Sequence, residues 1–193
     1  MMQAIMNLFL DSAMLRTSAL ALALLMLLTA AASVAGALVI EALGYAPCEL
    51  CLKERIPYYI ALPIAGLAVF LALRGQKRAL QAAFIALSLI FSASAVFGAY
   101  HAGIELGFWR GPTECTGALA QPRDVGGFLA ELQRVKVPRC DAPALRIFGL
   151  SLAAWNALIS AGLALLPAAA SILLASNRYP PGRFQVPPGS RAQ

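Results

Sequence analysis

The residues best suited to chemistry in this chain are its four cysteines, which form two pairs. Cys48 and Cys51 are separated by two residues, and Cys115 and Cys140 by a longer segment. A Cys-x-x-Cys pair can close a small, strained disulfide that exchanges readily with other thiols. If it stands at the start of a helix, the free N–H groups and the positive dipole end there stabilise a thiolate. The two pairs together predict disulfide exchange between them, which is the chemistry of a thiol oxidoreductase.

Two further residues could assist this chemistry. A helix that runs through Cys51 would carry Arg55 one turn later on the same face. That face could receive a planar, electron-poor ring, although Arg55 could also snorkel from a helix end. We interpret Tyr58 and Tyr59, which follow, as an aromatic belt at the membrane surface. His101 lies where a hydrophobic stretch ends, and either proton transfer or a simple interfacial hydrogen bond would suit it.

Metal binding and inert disulfides are the alternative interpretations of the cysteines. Structural zinc usually takes two closely spaced pairs, whereas the second pair here lies 25 positions apart, so we predict no metal site. Haem attachment would need a histidine directly after Cys51, where Leu52 stands. A purely structural bond between Cys115 and Cys140 stays open.

The elements that must position these residues are membrane helices. The chain is 60% apolar and only 12% charged, well outside the range of soluble domains. Four stretches without a charged residue are each near or above the ~18 to 20 residues that cross a bilayer. They are residues 18–40, 56–73, 79–99 and 147–176. Because these stretches are rich in Leu and Ala without alternating polarity, we predict an all-α membrane protein with a four-transmembrane-helix bundle.

The topology follows from the number of crossings. With four spans, the first and third connections, 41–55 and 100–146, share one face, and each carries a cysteine pair. The positive-inside rule places the basic turn at Arg74 and Arg78 in the cytoplasm. Both cysteine loops then face the periplasm, where disulfides persist. The net charge of +6 comes from dispersed residues, so we predict contact with the lipid bilayer and no nucleic-acid binding.

The remaining segments have simpler predictions. Residues 1–17 are predicted as a cytoplasmic N-terminus, 18–176 as the transmembrane domain, and 177–193 as a flexible, proline-rich cytoplasmic tail. The first span is longer than a signal-peptide core, so we predict that it is retained. In the long loop, apolar residues recur at helical spacing after Asp124, which predicts a short interfacial helix. An ordinary amphipathic turn packed on the bundle is the alternative.

Several motifs give the chain a family resemblance. They are Cys-Glu-Leu-Cys-Leu-Lys-Glu-Arg at 48–55, Tyr-His-Ala-Gly-Ile-Glu at 100–105, Gly-Pro-Thr-Glu-Cys at 111–115 and Pro-Arg-Cys-Asp at 138–141. In register with four apolar stretches, they resemble the disulfide bond formation protein B (DsbB) family over roughly residues 18–176. The resemblance implies a quinone-dependent oxidase in a bacterial inner membrane. Its electron acceptor would be ubiquinone or menaquinone, and its partner a DsbA-like periplasmic thioredoxin-fold protein.

The resemblance also implies a role for each cysteine. Cys115 would be attacked by the reduced partner, and Cys140 would be released as a thiol. Cys140 would then engage the first-loop disulfide at Cys48. This exchange leaves the electrons on the Cys48–Cys51 pair, with Cys51 facing the quinone.

Arg55 would stabilise negative charge on a quinone oxygen, a role that its chemistry also favours. We name His101 as a further candidate for quinone contact. The chain departs from the family's pattern at Glu54, where many relatives have Gln, and in the segment 105–114. Two other classes stay open. One resembles vitamin K epoxide reductase, whose loop cysteines precede its Cys-x-x-Cys motif instead of following it; the other is a non-enzymatic membrane protein with structural disulfides or a metal.

Overall fold

The structure, a computed structural model, describes residues 2–112 and 139–176. These residues form four α-helices, with a short antiparallel hairpin before the last one. The helices are α1 (Met2–Ala42), α2 (Glu49–Arg74), α3 (Lys77–Glu105) and α4 (Leu152–Ser176), and the hairpin strands are β1 (Arg146–Ile147) and β2 (Leu150–Ser151). Each helix contains a segment long and apolar enough to cross a membrane. The predicted all-α four-helix membrane bundle is confirmed.

Most helices extend beyond the predicted spans, which were bounded by charged residues. α2 begins at Glu49 and α3 ends at Glu105, while α1 runs back to Met2 through the segment predicted as an N-terminal tail. Charged side chains near a helix end are compatible with a helix because they reach the headgroups or pair with each other. Lys53 and Glu49 form such an i,i+4 pair at 2.9 Å. The longer α2 includes Cys51, so this residue lies within a helix.

The fourth helix begins later than predicted. Ile147 pairs with Leu150, and the two residues between them, Phe148 and Gly149, have φ angles of 51° and 82°. Positive φ at both central positions is the geometry of a tight hairpin turn, which interrupts a helix. The chain therefore reverses at the bundle end before α4 starts. The interfacial helix predicted after Asp124 lies outside the described residues.

Small side chains form much of the core. The fully buried alanines are Ala23, Ala30, Ala61, Ala65 and Ala68. Alanines at helical spacing let helix backbones approach closely, which is how helices associate in membranes. Larger buried side chains such as Met26, Phe84 and Phe91 fill the remaining space, while Leu28 and Leu89 are exposed. Exposed leucines suit a surface that faces lipid.

The helices do not pack equally against each other. α3 and α4 make the most extensive contacts, α2 packs on both α1 and α3, and α1 touches α4 only slightly. Gly98 marks the close approach of α3 to α4, because a Cβ atom there would lie 2.9 Å from the backbone nitrogen of Ala157. The slight contact between α1 and α4 leaves a cleft that α2 lines from the third side.

Candidate active site

Cys48 and Cys51 stand at the N-terminus of α2. Cys48 is the N-cap residue, and its sulfur accepts a hydrogen bond from the backbone N–H of Cys51 at 3.3 Å. N–H groups in the first turn have no partner inside the helix and carry the positive end of its dipole, so they favour a negatively charged sulfur. Both cysteines are free, and their Sγ atoms are 2.8 Å apart. The pair is positioned to form a bond and to share a proton.

The pKa of the Cys48 thiol is lowered to about 4. The hydrogen bond from the Cys51 thiol is the main cause, burial opposes it, and the hydrogen bond with His101 adds to the lowering. A thiol with this pKa is ionised at neutral pH. Cys48 is therefore the thiolate of the pair, and Cys51 is the thiol that donates to it.

A line of buried contacts runs from Cys48 to α3 and back to α2. On α3, His101 places Nε2 3.7 Å from the sulfur of Cys48 and Nδ1 2.9 Å from Oε1 of Glu54. His101 is only 1% exposed and Glu54 8% exposed. Buried polar groups persist where they find partners, and here Glu54 has one and His101 has two. A sulfur, an imidazole and a carboxylate are thus connected in the bundle interior.

Cys140 lies on another side of Cys48. It is disulfide-bonded and buried, and it belongs to a small apolar cluster with Cys48, Leu50 and Ile104. The hairpin and the segment before it bring Cys140 to this end of the bundle. Cys115, the remaining predicted site cysteine, lies outside the described residues. The structure thus brings the three described cysteines together.

A mostly apolar cavity of about 250 Å³ lies against Cys51. Its walls come from α1, α2 and α4, with apolar side chains that include Val34, Ala37, Ile40, Leu152, Trp155 and Ile159. Its polar lining comprises Cys51, Glu54, Arg55, Tyr58, Asn156, Ser33 and Tyr45. Apolar walls with a few convergent polar groups are typical of sites for small organic ligands. Cys48 and His101 do not line this cavity, so Cys51 is the member of the pair that meets it.

Arg55 holds a positive charge at the cavity. Its Nη1 donates to Oε2 of Glu41 at 2.7 Å, and the two side chains are 13% and 44% exposed. Glu41 stands in the last turn of α1, where a negative charge opposes the helix dipole and a nearby cation compensates for it. A guanidinium has five N–H donors, so pairing with Glu41 leaves donors for a ligand.

Hydroxyl and amide groups close the inner end of the cavity. The Tyr58 hydroxyl donates to Oδ1 of Asn156 at 2.7 Å and contacts Oγ of Ser160 at 3.0 Å. Ser160 in turn contacts Oγ of Ser94 at 2.9 Å, so this network joins α2, α3 and α4. Tyr58 is 5% exposed, and its interpretation as an aromatic belt residue is wrong. Tyr59 is 47% exposed, as a lipid-facing residue would be.

Glu41, Glu54 and Asn156 had no role assigned from the sequence. Signals for all three exist: Glu54 lies three positions after Cys51 on one helix face. Glu41 is an acid in the last turn of an otherwise apolar helix, and Asn156 is an amide within an apolar span. Polar residues within membrane helices usually mark functional sites.

The two thiols and the imidazole also have metal-ligand chemistry. Sulfur atoms of Cys48 and Cys51 and a ring nitrogen of His101 all lie within 4.8 Å of one another. Zinc binds thiolates at about 2.3 Å, which in tetrahedral geometry separates two sulfurs by about 3.8 Å. The sulfurs here are 2.8 Å apart, a spacing that favours sulfur–sulfur chemistry.

Comparison with known proteins agrees with this geometry. Residues 19–170 match the family model for Disulfide bond formation protein DsbB. The uncharacterized protein RP370 of Rickettsia prowazekii (strain Madrid E) is 24% identical over 123 residues, which cover 60% of this chain and 66% of that protein. The match therefore spans slightly less than two thirds of the relative's length. No solved structure matches the chain.

Proposed function

Because the chain belongs to the DsbB family of membrane-bound oxidases for disulfide bond formation, we propose that it reoxidises a DsbA-like periplasmic protein and passes the electrons to membrane quinone. One observation carries the proposal: the Cys48–Cys51 pair stands between a disulfide and an apolar cavity. Cys48 shares a buried cluster with disulfide-bonded Cys140, and Cys51 lines the cavity. Electrons that enter on one side of the pair can leave on the other.

The first half of the reaction is thiol–disulfide exchange. A thiolate of the reduced partner attacks Cys115, and the sulfur of Cys140 leaves. The second thiol of the partner then resolves the mixed disulfide. Cys140 attacks the oxidised first pair at Cys48, which releases the sulfur of Cys51. Cys115 then attacks Cys140, which re-forms the Cys115–Cys140 disulfide, releases the sulfur of Cys48 and leaves Cys48 and Cys51 reduced. The packing of Cys140 against Cys48 supports this order, because exchange requires sulfurs that can approach each other.

The second half needs an electron acceptor, and the cavity suits a quinone headgroup. A quinone bound there would accept two electrons and two protons from the pair. Cys51 contributes its sulfur to the cavity wall, while the apolar side chains of α1 and α4 exclude water from it. Arg55 presents a fixed positive charge that stabilises negative charge on a ligand oxygen. The residues present therefore fit the group that the family uses.

The orientation in the membrane follows from the basic residues at the opposite end of the bundle. The turn between α2 and α3 is flanked by Arg74, Lys77 and Arg78, and Arg16 donates to the carbonyl of Leu73 at the same end. Short basic flanks remain on the cytoplasmic side. The cysteine end then faces the periplasm of a bacterial inner membrane, where disulfides are maintained.

The test uses purified full-length protein in detergent with a reduced thioredoxin-fold dithiol protein and a short-chain ubiquinone. We expect continuous loss of the quinone absorbance only when both substrates are present. Cys51→Ser should abolish it, whereas Leu52→Ser, the same substitution at an exposed neighbour, should preserve it. Quinone reduction by Cys51→Ser at the normal rate would refute the assigned roles.

A further inference from the structure

The proposed reaction creates a need that the cavity alone does not meet. Oxidation of the Cys48–Cys51 pair forms one S–S bond and releases two electrons, and a quinone needs these two electrons and two protons to become a hydroquinone. Cys51 lines the cavity and can pass its proton there directly. Cys48 is a thiolate, is 4% exposed and does not line the cavity, so the second proton needs another source and another route.

The buried contacts that run from Cys48 through His101 on α3 to Glu54 supply that route. His101 contacts the sulfur of Cys48 through Nε2 at 3.7 Å and the carboxylate of Glu54 through Nδ1 at 2.9 Å. Glu54 in turn lines the cavity. We propose that His101 holds the proton given up by Cys48 and passes it through Glu54 into the cavity, so that both protons reach the quinone without passing through solvent. This inference rests on the proposed function.

The proton count closes over one turnover. Because Cys48 is a thiolate, the proton it has given up is held at Nε2 of the His101 imidazolium, and the Nδ1 proton of this ring leaves for the carboxylate of Glu54. Glu54 releases it to an oxygen of the ligand in the cavity and becomes a carboxylate again. Cys51 provides the second proton as its sulfur bonds to Cys48. The electron pair passes through the sulfur atoms of the cysteine pair to the ligand, and the first proton passes through His101 and Glu54.

The groups that face this line are few among the described residues. Cys51 faces Cys48 at 2.8 Å, and Glu105 acts electrostatically on Glu54 from α3. The neighbouring Arg55 is held by Glu41 at the cavity. Glu105 is outside the hydrogen-bonded line, and its buried Oε2 has no hydrogen bond in the described structure. It is therefore a matched control for removing a nearby carboxylate without breaking the line.

The ionisation of Cys48 agrees with this assignment. Its pKa is lowered first by the thiol of Cys51 and further by the hydrogen bond with His101. A carboxylate on the far side of the imidazole favours a proton on the ring and hence a thiolate on Cys48. Glu54→Gln keeps a hydrogen-bonding group of similar shape at this position but removes the acid that accepts the proton.

The first test needs no quinone. Full-length protein is washed free of quinone and fully reduced, and alkylation of Cys48 by iodoacetamide is followed against pH with mass-spectrometric fragment ions. The wild-type midpoint should lie near pH 4. In Glu54→Gln it should move upward by about one pH unit or more, because His101 loses the carboxylate that favours a proton on its ring and then stabilises the thiolate less. Glu105→Gln should leave it near the wild-type value.

The second test follows protons during one turnover. Reduced protein is mixed with a short-chain ubiquinone in weak buffer that contains a pH-indicator dye. Wild type and Glu105→Gln should show no transient change in dye absorbance, because both protons pass from the protein to the quinone without entering solvent. Glu54→Gln should release up to one proton per protein into solvent and take it up again as hydroquinone forms. A role for Glu54 in folding alone would not produce this signal.

The outcomes separate the two proposals. If Glu54→Gln reduces quinone with an unshifted alkylation midpoint and no proton transient, the relay is refuted and the proposed function stands. If wild type does not reduce quinone with the reduced partner, the proposed function fails, while the alkylation shift still measures the link from Glu54 to Cys48.

Should Glu54→Gln not accumulate as folded protein, Glu54→Asp replaces it. Glu54→Asp keeps the carboxylic acid, so the relay predicts that the alkylation midpoint of Cys48 shifts by less than about one pH unit and that no proton appears in solvent. Transient release of one proton per protein by Glu54→Asp would refute the relay.

Discussion

Arg55 is the residue at which the role of charge in the cavity can be measured most directly. Its guanidinium lines the cavity and donates to Glu41 at 2.7 Å, with 13% of its side chain exposed. Replacing it by Gln keeps a long polar side chain and removes the positive charge. We expect Arg55→Gln to weaken quinone use and to spare the thiol exchange with the partner, which the proposed reaction places on the other side of the pair.

The size of the effect follows from the interaction that is lost. A hydrogen bond to a charged group contributes about 1.5 to 3 kcal/mol, which corresponds to roughly 10- to 150-fold in kcat/KM for quinone. The fold should tolerate the change. Glu41 is 44% exposed and can be solvated when its partner is gone, and a pair of this kind contributes about 0 to 1 kcal/mol to stability.

The assay varies the quinone at saturating reduced partner, and then the partner at saturating quinone. Lys53→Gln is the matched control, because Lys53 lies on the same helix, pairs with Glu49 and does not line the cavity. Lys53→Gln should leave kcat/KM unchanged for the quinone and for the reduced partner. Single-turnover oxidation of the reduced partner, followed by thiol trapping, should be equal in Arg55→Gln and wild type. Equal losses in Arg55→Gln and Lys53→Gln, or a loss confined to the thiol step, would refute a role for Arg55 charge in the cavity.

Three further results are expected. Gly98→Ala should lower the free energy of unfolding in detergent by about 1 to 3 kcal/mol, because its Cβ would lie 2.9 Å from backbone, whereas Gly162→Ala, with nothing within 4 Å, should not lower it. Tyr58→Phe should lower the free energy of unfolding by about 0.5 to 1.5 kcal/mol, because Oδ1 of Asn156 loses one of its two donors and keeps Ser160, whereas Tyr59→Phe should cost almost nothing; equal stabilities by chemical denaturation would contradict the hydroxyl network. Cys48 has a lowered pKa of about 4, so its thiolate is fully present above that pH and its alkylation rate should be flat from pH 6 to 8. An ordinary cysteine with a pKa of about 8.5 would react roughly 75-fold faster at pH 8 than at pH 6, and such a rise would contradict the assignment.

The sequence allowed the bundle and the cysteine end to be predicted because both depend on local properties. Four long apolar runs require four helices in lipid whatever their partners are. The four-residue spacing of Cys51 and Arg55 places them on one face of any helix, and both line the cavity. The order of the spans brings the first and third connections to the same end, where Cys140 packs with Cys48.

The parts that could not be predicted depend on contacts between distant residues. Glu54 and His101 are 47 positions apart, and nothing in either local sequence indicates that α2 and α3 place them in contact. Tyr58 resembles a belt residue by position and becomes an interior residue only because Asn156 and Ser160 on α4 supply partners. Phe148 stands in an apolar run that suits a helix, yet it has a φ of 51°, which bulky residues seldom adopt.

The loose junction of α1 and α4 has a consequence for how the protein meets its surroundings. Because the two helices that wall this cavity barely touch and each can span a membrane, its lateral side would adjoin the acyl chains, while residues 45–47 and 144 form its outer rim. A ligand that dissolves only in the bilayer can enter and leave the cavity laterally from the membrane, without passing through water. Its abundance within the leaflet, and not its solubility, would then govern how often the site is visited.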